Sequence, residues 1–235
     1  MRAVVQNSVG GPDVLVIADR PNPTPKHGEV LVRVKGAGIN PVDGAVRAGY
    51  YPLLGEPPFT LGWDISGTVE ALGPGVNGGL KVGDAVFGMP RFPKQAAAYA
   101  ELAVTPADEI APKPRTIDHN HAGALPLAGL TAWQGIVRHG GLKPGQRVLI
   151  HAAAGGVLVS LLNVHDTTRA KAAARNIRVE RMSVVPDREG LVELGKLVDA
   201  GKLAVHVAKS FPLEQAGAAH AFLATRPIGK VVLTA

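Results

Sequence analysis

The sequence predicts a protein of class α/β plus β, with a β-rich barrel or sandwich first and a β/α part second. Up to about residue 110, short apolar or alternating runs are separated by Gly, Pro and Asn clusters, a pattern typical of all-β architecture. Near Ile117 the sequence becomes rich in Ala and Leu, with helical character. At residues 147–156 an apolar run ends in small residues, which indicates a buried strand followed by a sharp turn.

Local patterns predict the individual elements. Pro126 is a start signal and Gly140-Gly141 a stop signal for helices within residues 119–139. Residues 187–200 have their leucines on one face, which predicts an amphipathic helix that ends at Gly201. The other predicted strands are 3–6, 14–17, 29–34, 67–72, 99–104, 158–162, 177–185 and 229–234, and residues 81–88 are a polar turn that leads into another strand. The other predicted helices are 169–176 and 212–223.

Two domains are expected from these elements. The change in character places the boundary between about Ala111 and Ala122. We predict a first domain over residues 1–118 and a second over residues 119–205. Residues from about 206 to 235 are expected to complete the first domain, because the terminal strand can return to its sheet.

Composition excludes several classes of function. The chain has 235 residues, no cysteine and a formal net charge of +6 without a Lys/Arg block, so disulfides, thiol catalysis and thiolate metal sites are excluded. Aromatic residues make up 4%, too few for a stacking platform, so nucleic-acid binding is not expected. No apolar run approaches the roughly 20 residues of a membrane span, and no signal-peptide pattern is visible. A cytoplasmic protein without membrane contact is therefore predicted.

The small residues at 152–156 form the start of a dinucleotide-binding turn. Small side chains let a diphosphate approach the backbone, and a following helix would offer its N–H groups. After Val157, however, the chain reads Leu-Val-Ser-Leu-Leu, which predicts another strand in place of the third glycine and the helix.

Several stretches carry a resemblance to a known family. They resemble the medium-chain dehydrogenase/reductase superfamily, in its zinc-free NADPH:quinone oxidoreductase (zeta-crystallin-like) branch. The resemblance implies a GroES-like β-barrel domain for the substrate, a Rossmann-type domain with a doubly wound parallel sheet for NADPH, and an active site between them. The stretches, in the family's order, are GINPVD at 38–43, GWDISG at 62–67, ALPLAGLTAW at 124–133, VLIHAAAGGV at 148–157, FPL at 211–213 and GKVVL at 229–233.

The sequence departs from the family pattern in two places. Zinc-dependent relatives have a Cys in the loop at 38–43 and a His near Trp63-Asp64, and this chain has neither, so no metal is expected. Residues 147–235 are also too few for two βαβαβ halves, since each βαβ unit takes about 30 residues or more. We therefore predict an internal deletion in the Rossmann-type domain, with its joint close to Val157.

The resemblance also implies site residues. In the catalytic pocket it places Asn40 as a polar donor for a developing oxyanion, Asp43 in the same loop and Tyr51 as a wall of the pocket. Each has a structural alternative: a turn at Asn40, a helix cap at Asp43 and packing at Tyr51. Lys230 and Arg226 are expected to be solvated surface charges. The residues implied to bind the cofactor are Thr131, Ala152, Ala153, Ala154, Gly155, Gly156 and Val157.

Three functional hypotheses follow. The first is a metal-free reductase that transfers a hydride from NADPH to a quinone or an α,β-unsaturated carbonyl. The second is a truncated family member that cannot use the cofactor and serves as a binding or interaction module. The third is an intact reductase of which this sequence lacks the central segment. The deletion exposes strand edges, so a homodimer is also expected.

Overall fold

The structure is a computed structural model that describes residues 1–77, 79–143, 145–146, 157–161 and 163–235. Its first part consists mainly of antiparallel strands, most of which carry runs of buried side chains. In chain order these elements are β1 (Arg2–Gln6), β2 (Leu15–Asp19), β3 (Glu29–Ile39), α1 (Pro41–Arg47), β4 (Ile65–Leu72), β5 (Ala85–Gly88), β6 (Leu102–Pro106) and β7 (Ile110–Pro112).

The second part contains most of the helices. A π-helical turn, Gln134–His139, continues directly from the helix before it. The elements are α2 (His119–Ala124), α3 (Pro126–Trp133), β8 (Val157–Ser160), α4 (Asp166–Ala173), β9 (Arg178–Arg181), α5 (Arg188–Asp199), β10 (Val207–Pro212), α6 (Ala216–Ala224) and β11 (Lys230–Thr234).

Strand β3 is the centre of the largest sheet. It pairs antiparallel with β4, with β6 along its first half and with β11 at its end. The path through this sheet is β10-β11-β3-β4-β5-β7, with β6 beside β3. Val30, Val32 and Val34 of β3 are at most 1% exposed. The hydrophobic core therefore lies against this strand.

The expected closed barrel does not form among the described residues. The sheet path ends at β7 and β10 instead of returning on itself, because β10 pairs parallel with β11 and extends the sheet beyond β3. Hairpin β1–β2 is a separate sheet, joined to the rest by the single bridges Ala3↔Ala100 and Gln6↔Phe59. These isolated bridges are too short to close the largest sheet into a barrel. The only other sheet in the described part is the parallel pair β8–β9.

Several helix boundaries agree with their sequence signals. Pro126 lies in the first turn of α3, and the π-helical turn that follows ends before Gly140-Gly141. Asp187 caps α5 by accepting a hydrogen bond from Gly190 N at 3.0 Å. The predicted apolar face of α5 is buried at Leu191 and Leu194, which are 0% and 4% exposed.

Two glycines let α2 pack directly on β3. A Cβ on Gly38 would lie 2.5 Å from the carbonyl oxygen of Gly123, and one on Gly36 would lie 2.7 Å from that of His119. Both distances are shorter than any real contact. This close approach brings the start of α3 to the end of β3, where the candidate site lies.

Candidate active site

A buried group of four side chains lies where β3 ends and α1 begins. We call Asn40, Asp43, Asp64 and Lys230 the polar cluster. Asn40 follows the last residue of β3, and Lys230 is the first residue of β11. Because Val231 pairs with Ile39 in the antiparallel register, their neighbours Lys230 and Asn40 are brought side by side. The pairing of two strands far apart in the chain thus builds the site.

Asp64 is the acceptor at the centre of the polar cluster. Its Oδ2 accepts from Asn40 Nδ2 at 2.9 Å and from Lys230 Nζ at 3.4 Å, and its Oδ1 accepts from Leu127 N at 2.7 Å. The Leu127 N–H belongs to the first turn of α3, where a helix has unpaired donors. Complete burial raises the pKa of Asp64, and the Lys230 charge opposes this shift. Three donors therefore satisfy the hydrogen-bonding capacity of the Asp64 carboxylate.

Asn40 has a fixed orientation. Its Nδ2 donates to Asp64, and its Oδ1 accepts from Lys230 Nζ. A carboxylate on one side and an ammonium on the other define which amide atom is nitrogen and which is oxygen. Asn40 is 2% exposed, and it keeps one amide hydrogen for a further partner.

Asp43 is the N3 residue of a capping box at the start of α1, in which Asn40 is the N-cap. Its Oδ2 accepts from Asn40 N at 2.7 Å, and its Oδ1 accepts from Gly62 N at 3.1 Å. Complete burial, with a smaller contribution from the Asp64 charge, raises the pKa of Asp43 to about 7 despite these hydrogen bonds. The side chain thus plays the structural role of a helix cap, and it can hold a proton near neutral pH.

Tyr99 and His220 form a buried pair next to Asp43. Burial raises the pKa of Tyr99, and the charges of Asp43 and Asp64 add to this effect. The Tyr99 hydroxyl lies 3.3 Å from Nε2 of His220, a residue of α6 that is 4% exposed. Burial, and after it the charge of Arg47, lowers the pKa of His220 to about 3, so this ring is neutral at pH 7.

The other predicted site residues lie apart from the polar cluster or outside the described residues. Tyr51 is 50% exposed, and no hydrogen bond joins its hydroxyl to the described residues. The Thr131 hydroxyl donates to Leu127 O at 2.7 Å, within its own helix. The roles of both stay predictions. Val157 begins β8, and the turn residues Ala152, Ala153, Ala154, Gly155 and Gly156 lie outside the described residues.

Sequence reasoning missed two members of the polar cluster. Lys230 was expected to be solvated, and this was wrong: its side chain is only 19% exposed and contacts Asn40 and Asp64. Asp64 was noted only as part of a motif. A signal was present, since each is a charged residue next to an apolar strand: Lys230 precedes Val231-Val232-Leu233, and Asp64 precedes Ile65. Arg226 is exposed, as expected.

The described residues contain neither a cluster of metal ligands nor a membrane-spanning helix. Among the described residues, no group of three or more His, Asp or Glu side chains could hold a metal ion. No helix in the same part of the chain is long and apolar enough to cross a membrane.

Comparisons with known proteins place the chain in a family. The profile of the alcohol dehydrogenase GroES-like domain matches residues 26–115, and that of the zinc-binding dehydrogenase family matches residues 133–233. Rat quinone oxidoreductase is 35% identical over 158 residues, which are 67% of this chain and 47% of the rat protein. The zebrafish synaptic vesicle membrane protein VAT-1 homolog is 38% identical over 167 residues, which are 71% of this chain and 34% of that protein.

A solved structure supports the same assignment. A mycobacterial protein complexed with NADPH superposes with a TM-score of 0.85 at 26% identity, and the alignment covers 100% of both chains. These matches define an alcohol-dehydrogenase-like oxidoreductase fold with GroES-like and Rossmann-type domains. The chain belongs to the medium-chain dehydrogenase/reductase superfamily, in its quinone oxidoreductase/VAT-1 branch, which confirms the predicted family. It spans about half the length of the mammalian quinone oxidoreductases that it matches.

Proposed function

We propose that the chain is a metal-free reductase that transfers a hydride from NADPH to a quinone or an α,β-unsaturated carbonyl compound. The observation that carries this proposal is the contact of Lys230 with Asn40 at the end of β3. When a carbonyl accepts a hydride, negative charge develops on its oxygen. A partly exposed ammonium beside a fixed amide is a donor arrangement that stabilises such a charge.

The polar cluster defines what each side chain does in this proposal. Lys230 Nζ supplies positive charge and a hydrogen-bond donor at the surface of the cluster. Asp64 holds Lys230 and Asn40 in place and is itself held by the Leu127 N–H. The remaining Nδ2 hydrogen of Asn40 is the second donor. Asp43 fixes the backbone of Asn40 through the helix cap, which keeps the amide aligned.

The cofactor supplies the hydride when it is bound. The described residues alone do not form a cradle for its diphosphate, since the Thr131 hydroxyl is occupied by Leu127 O and residues 152–156 lie outside the described part. The proposal that residues 152–157 bind NADPH is supported by the resemblance and by a structural relative solved with NADPH. The proposal that Tyr51 borders the substrate, with its hydroxyl free, is supported by the resemblance alone.

The domain division is part of the proposal. We assign residues 1–118 and about 206–235 to the GroES-like domain and residues 119–205 to the Rossmann-type domain. The pairing of β11 with β3 supports the return of the chain to the first sheet. The second family profile extends to residue 233 and so includes β11. We follow the strand pairing, because hydrogen bonds define which sheet a strand belongs to.

A non-catalytic role is the second candidate. The observation that favours it is length: the sequence match covers 47% of rat quinone oxidoreductase. The joint of the predicted deletion lies close to Val157, so the lost residues would include the helix that faces the diphosphate. The same deletion supports a homodimer, since in the described part β8 and β9 pair only with each other, and Leu161 beside them is 55% exposed.

Cofactor binding separates the two candidates. We would titrate the protein with NADPH, follow the nucleotide fluorescence and then measure NADPH consumption with 1,4-benzoquinone after subtracting the protein-free rate. Saturable binding in the micromolar range together with catalysed consumption supports the reductase. The absence of binding at millimolar NADPH contradicts the reductase and supports the binding module. Intact mass of the protein, measured on the same sample, establishes that the tested chain has the given length.

A further inference from the structure

A cavity of about 540 Å³ lies between α1 and the segment formed by α6 and β11. This volume falls within the range of about 300–1,000 Å³ that is typical of small-molecule sites. Most of its wall is apolar, and its polar side chains are basic or neutral. The wall includes Ile39, Pro41, Gly44, Arg47, His220 and Leu223.

Arg47 places a positive charge in the wall of this cavity. Its Nε and Nη1 are enclosed and have no hydrogen-bond partner in the described part of the chain. Burial lowers the pKa of the guanidinium, which nevertheless stays charged at neutral pH. Asp13 opposes this shift, but it is exposed and forms no ion pair with Arg47 within the described residues. Arg47 is only partly buried, but two of its nitrogens are enclosed without a partner, which is costly. An anion beside the guanidinium would offset this cost.

The other polar groups of the wall leave Arg47 as the dominant charge. Lys230 has Asp64 as its counter-ion, whereas Arg47 has no ion-pair partner among the described residues. Arg226 is exposed at the rim. His220 is neutral at pH 7, and its enclosed Nδ1 has no partner among the described residues. No acidic side chain lines the cavity. One guanidinium in apolar surroundings suits a ligand with a single negative charge.

Gly44 borders free space at the wall of the cavity. It lies in the middle of α1, where a glycine is less favourable than an alanine by roughly 0.5–1 kcal/mol. A Cβ built on Gly44 meets nothing within 4 Å. The space in front of this residue is therefore free for a ligand rather than filled by the protein.

We propose that this cavity binds a small organic monoanion, a carboxylate carried on an apolar ring, with the carboxylate against Arg47 and the ring against Ile39, Pro41 and Leu223. The site differs from the proposed nucleotide turn at residues 152–157. The cavity adjoins the polar cluster through Lys230. Benzoate binding does not require reductase activity, so the two proposals can fail separately.

Benzoate is the probe, and benzamide is its uncharged counterpart of similar size. We would measure both by isothermal titration calorimetry on the full chain. We expect one saturable benzoate site per chain and at least about tenfold weaker binding of benzamide, because a charge-assisted hydrogen bond is lost. We also expect Arg47→Met to weaken benzoate binding about tenfold or more, whereas Arg20→Met, a change at an exposed arginine outside the cavity, leaves it unchanged.

Gly44→Leu is the second variant, in case Arg47→Met does not fold. It fills the free space without removing a charge, and it should abolish benzoate binding while the melting temperature is maintained or raised. Equal affinity for benzoate and benzamide would overturn the proposal, as would unchanged binding in Gly44→Leu. Competition between NADPH and benzoate would also overturn it, because the anion would then occupy the nucleotide site.

Discussion

The sheet around β3 and the parallel pair β8–β9 differ in how strongly their surroundings determine them. Strand β3 has three partner strands and a fully buried valine at every second position of its first half. In the β8–β9 pair no described side chain is buried. Buried charges such as Asp64 are tolerated only where donors are held in place from several sides. The contrast explains why the polar cluster lies on β3 and β11 and not in the smaller sheet.

The largest expected effect comes from removing the central acceptor of the polar cluster. Asp64→Ala leaves Asn40, Leu127 N and Lys230 without their shared partner, so it should lower the free energy of unfolding by about 3–5 kcal/mol. Urea unfolding followed by circular dichroism measures this. The double variant Asp64→Ala/Lys230→Met should be less destabilised than the sum of its single changes. A loss below about 1 kcal/mol would mean that the cluster does not determine the stability of this region.

A matched pair of glycine substitutions tests the packing of α2 on β3. Gly38→Ala places a Cβ 2.5 Å from Gly123 O, and we expect it to cost about 1–3 kcal/mol through overpacking. Gly44→Ala meets nothing within 4 Å and should instead stabilise α1 by up to about 1 kcal/mol. Thermal unfolding of both variants checks the difference. Similar melting temperatures for the two variants would show that α2 and β3 have room for an added methyl group.

The pH dependence of stability should contain two opposing contributions. The pKa of Asp43 is raised in the folded protein to about 7, so its contribution is present below the unfolded pKa and is lost as pH rises towards 7. The pKa of His220 is lowered to about 3, so its contribution is present above the unfolded pKa of about 6.5 and is lost as pH falls towards 3.

Two variants separate these contributions. Between pH 4 and pH 7 the melting temperature of Asp43→Asn should rise with pH more steeply than that of the wild type, and that of His220→Gln should rise less steeply or fall. Melting temperatures at half-unit pH steps give both slopes. Parallel profiles for the three proteins would contradict the buried environments of these side chains.

The smallest effect on stability is expected in the parallel pair β8–β9. Leu161 follows β8 and is 55% exposed, so Leu161→Ser should change the free energy of unfolding by less than about 0.5 kcal/mol. If β8–β9 forms a dimer contact, the same change should weaken the dimer, which light scattering over a range of concentrations detects. A large loss of stability in a monomer would show that this region is more tightly packed than the comparison implies.

Local sequence signals predicted most elements but not how they assemble. The start of α3 at Pro126 and the amphipathic α5 follow from residues that are neighbours in the chain. Helix α1 was not among the predicted elements, although a helix cap at Asp43 was one alternative. A Pro in the first turn and an Asp at N3 are helix-start signals. Strand β10 was missed, because Pro212 was taken as a helix start, whereas it ends the strand before a short 3₁₀ turn.

The candidate site depends on contacts that one sequence does not reveal. Alternation of apolar residues predicts strands, but it does not show that Val231 pairs with Ile39 or that the sheet stays open. The contact between Lys230 and Asn40 is a consequence of this register. The family resemblance supplied Asn40 and Asp43, whereas the roles of Asp64 and Lys230 became visible only in the folded chain.

The rate of NADPH consumption with 1,4-benzoquinone in Lys230 variants tests the proposed reductase most directly. Lys202, an exposed lysine without side-chain hydrogen bonds among the described residues, provides the control Lys202→Met. The account predicts that Lys230→Met lowers kcat by about 10²–10³-fold, that Lys230→Arg retains a larger share of the rate, and that Lys202→Met equals the wild type. A folded Lys230→Met protein that turns over at the wild-type rate would contradict the central role of the polar cluster.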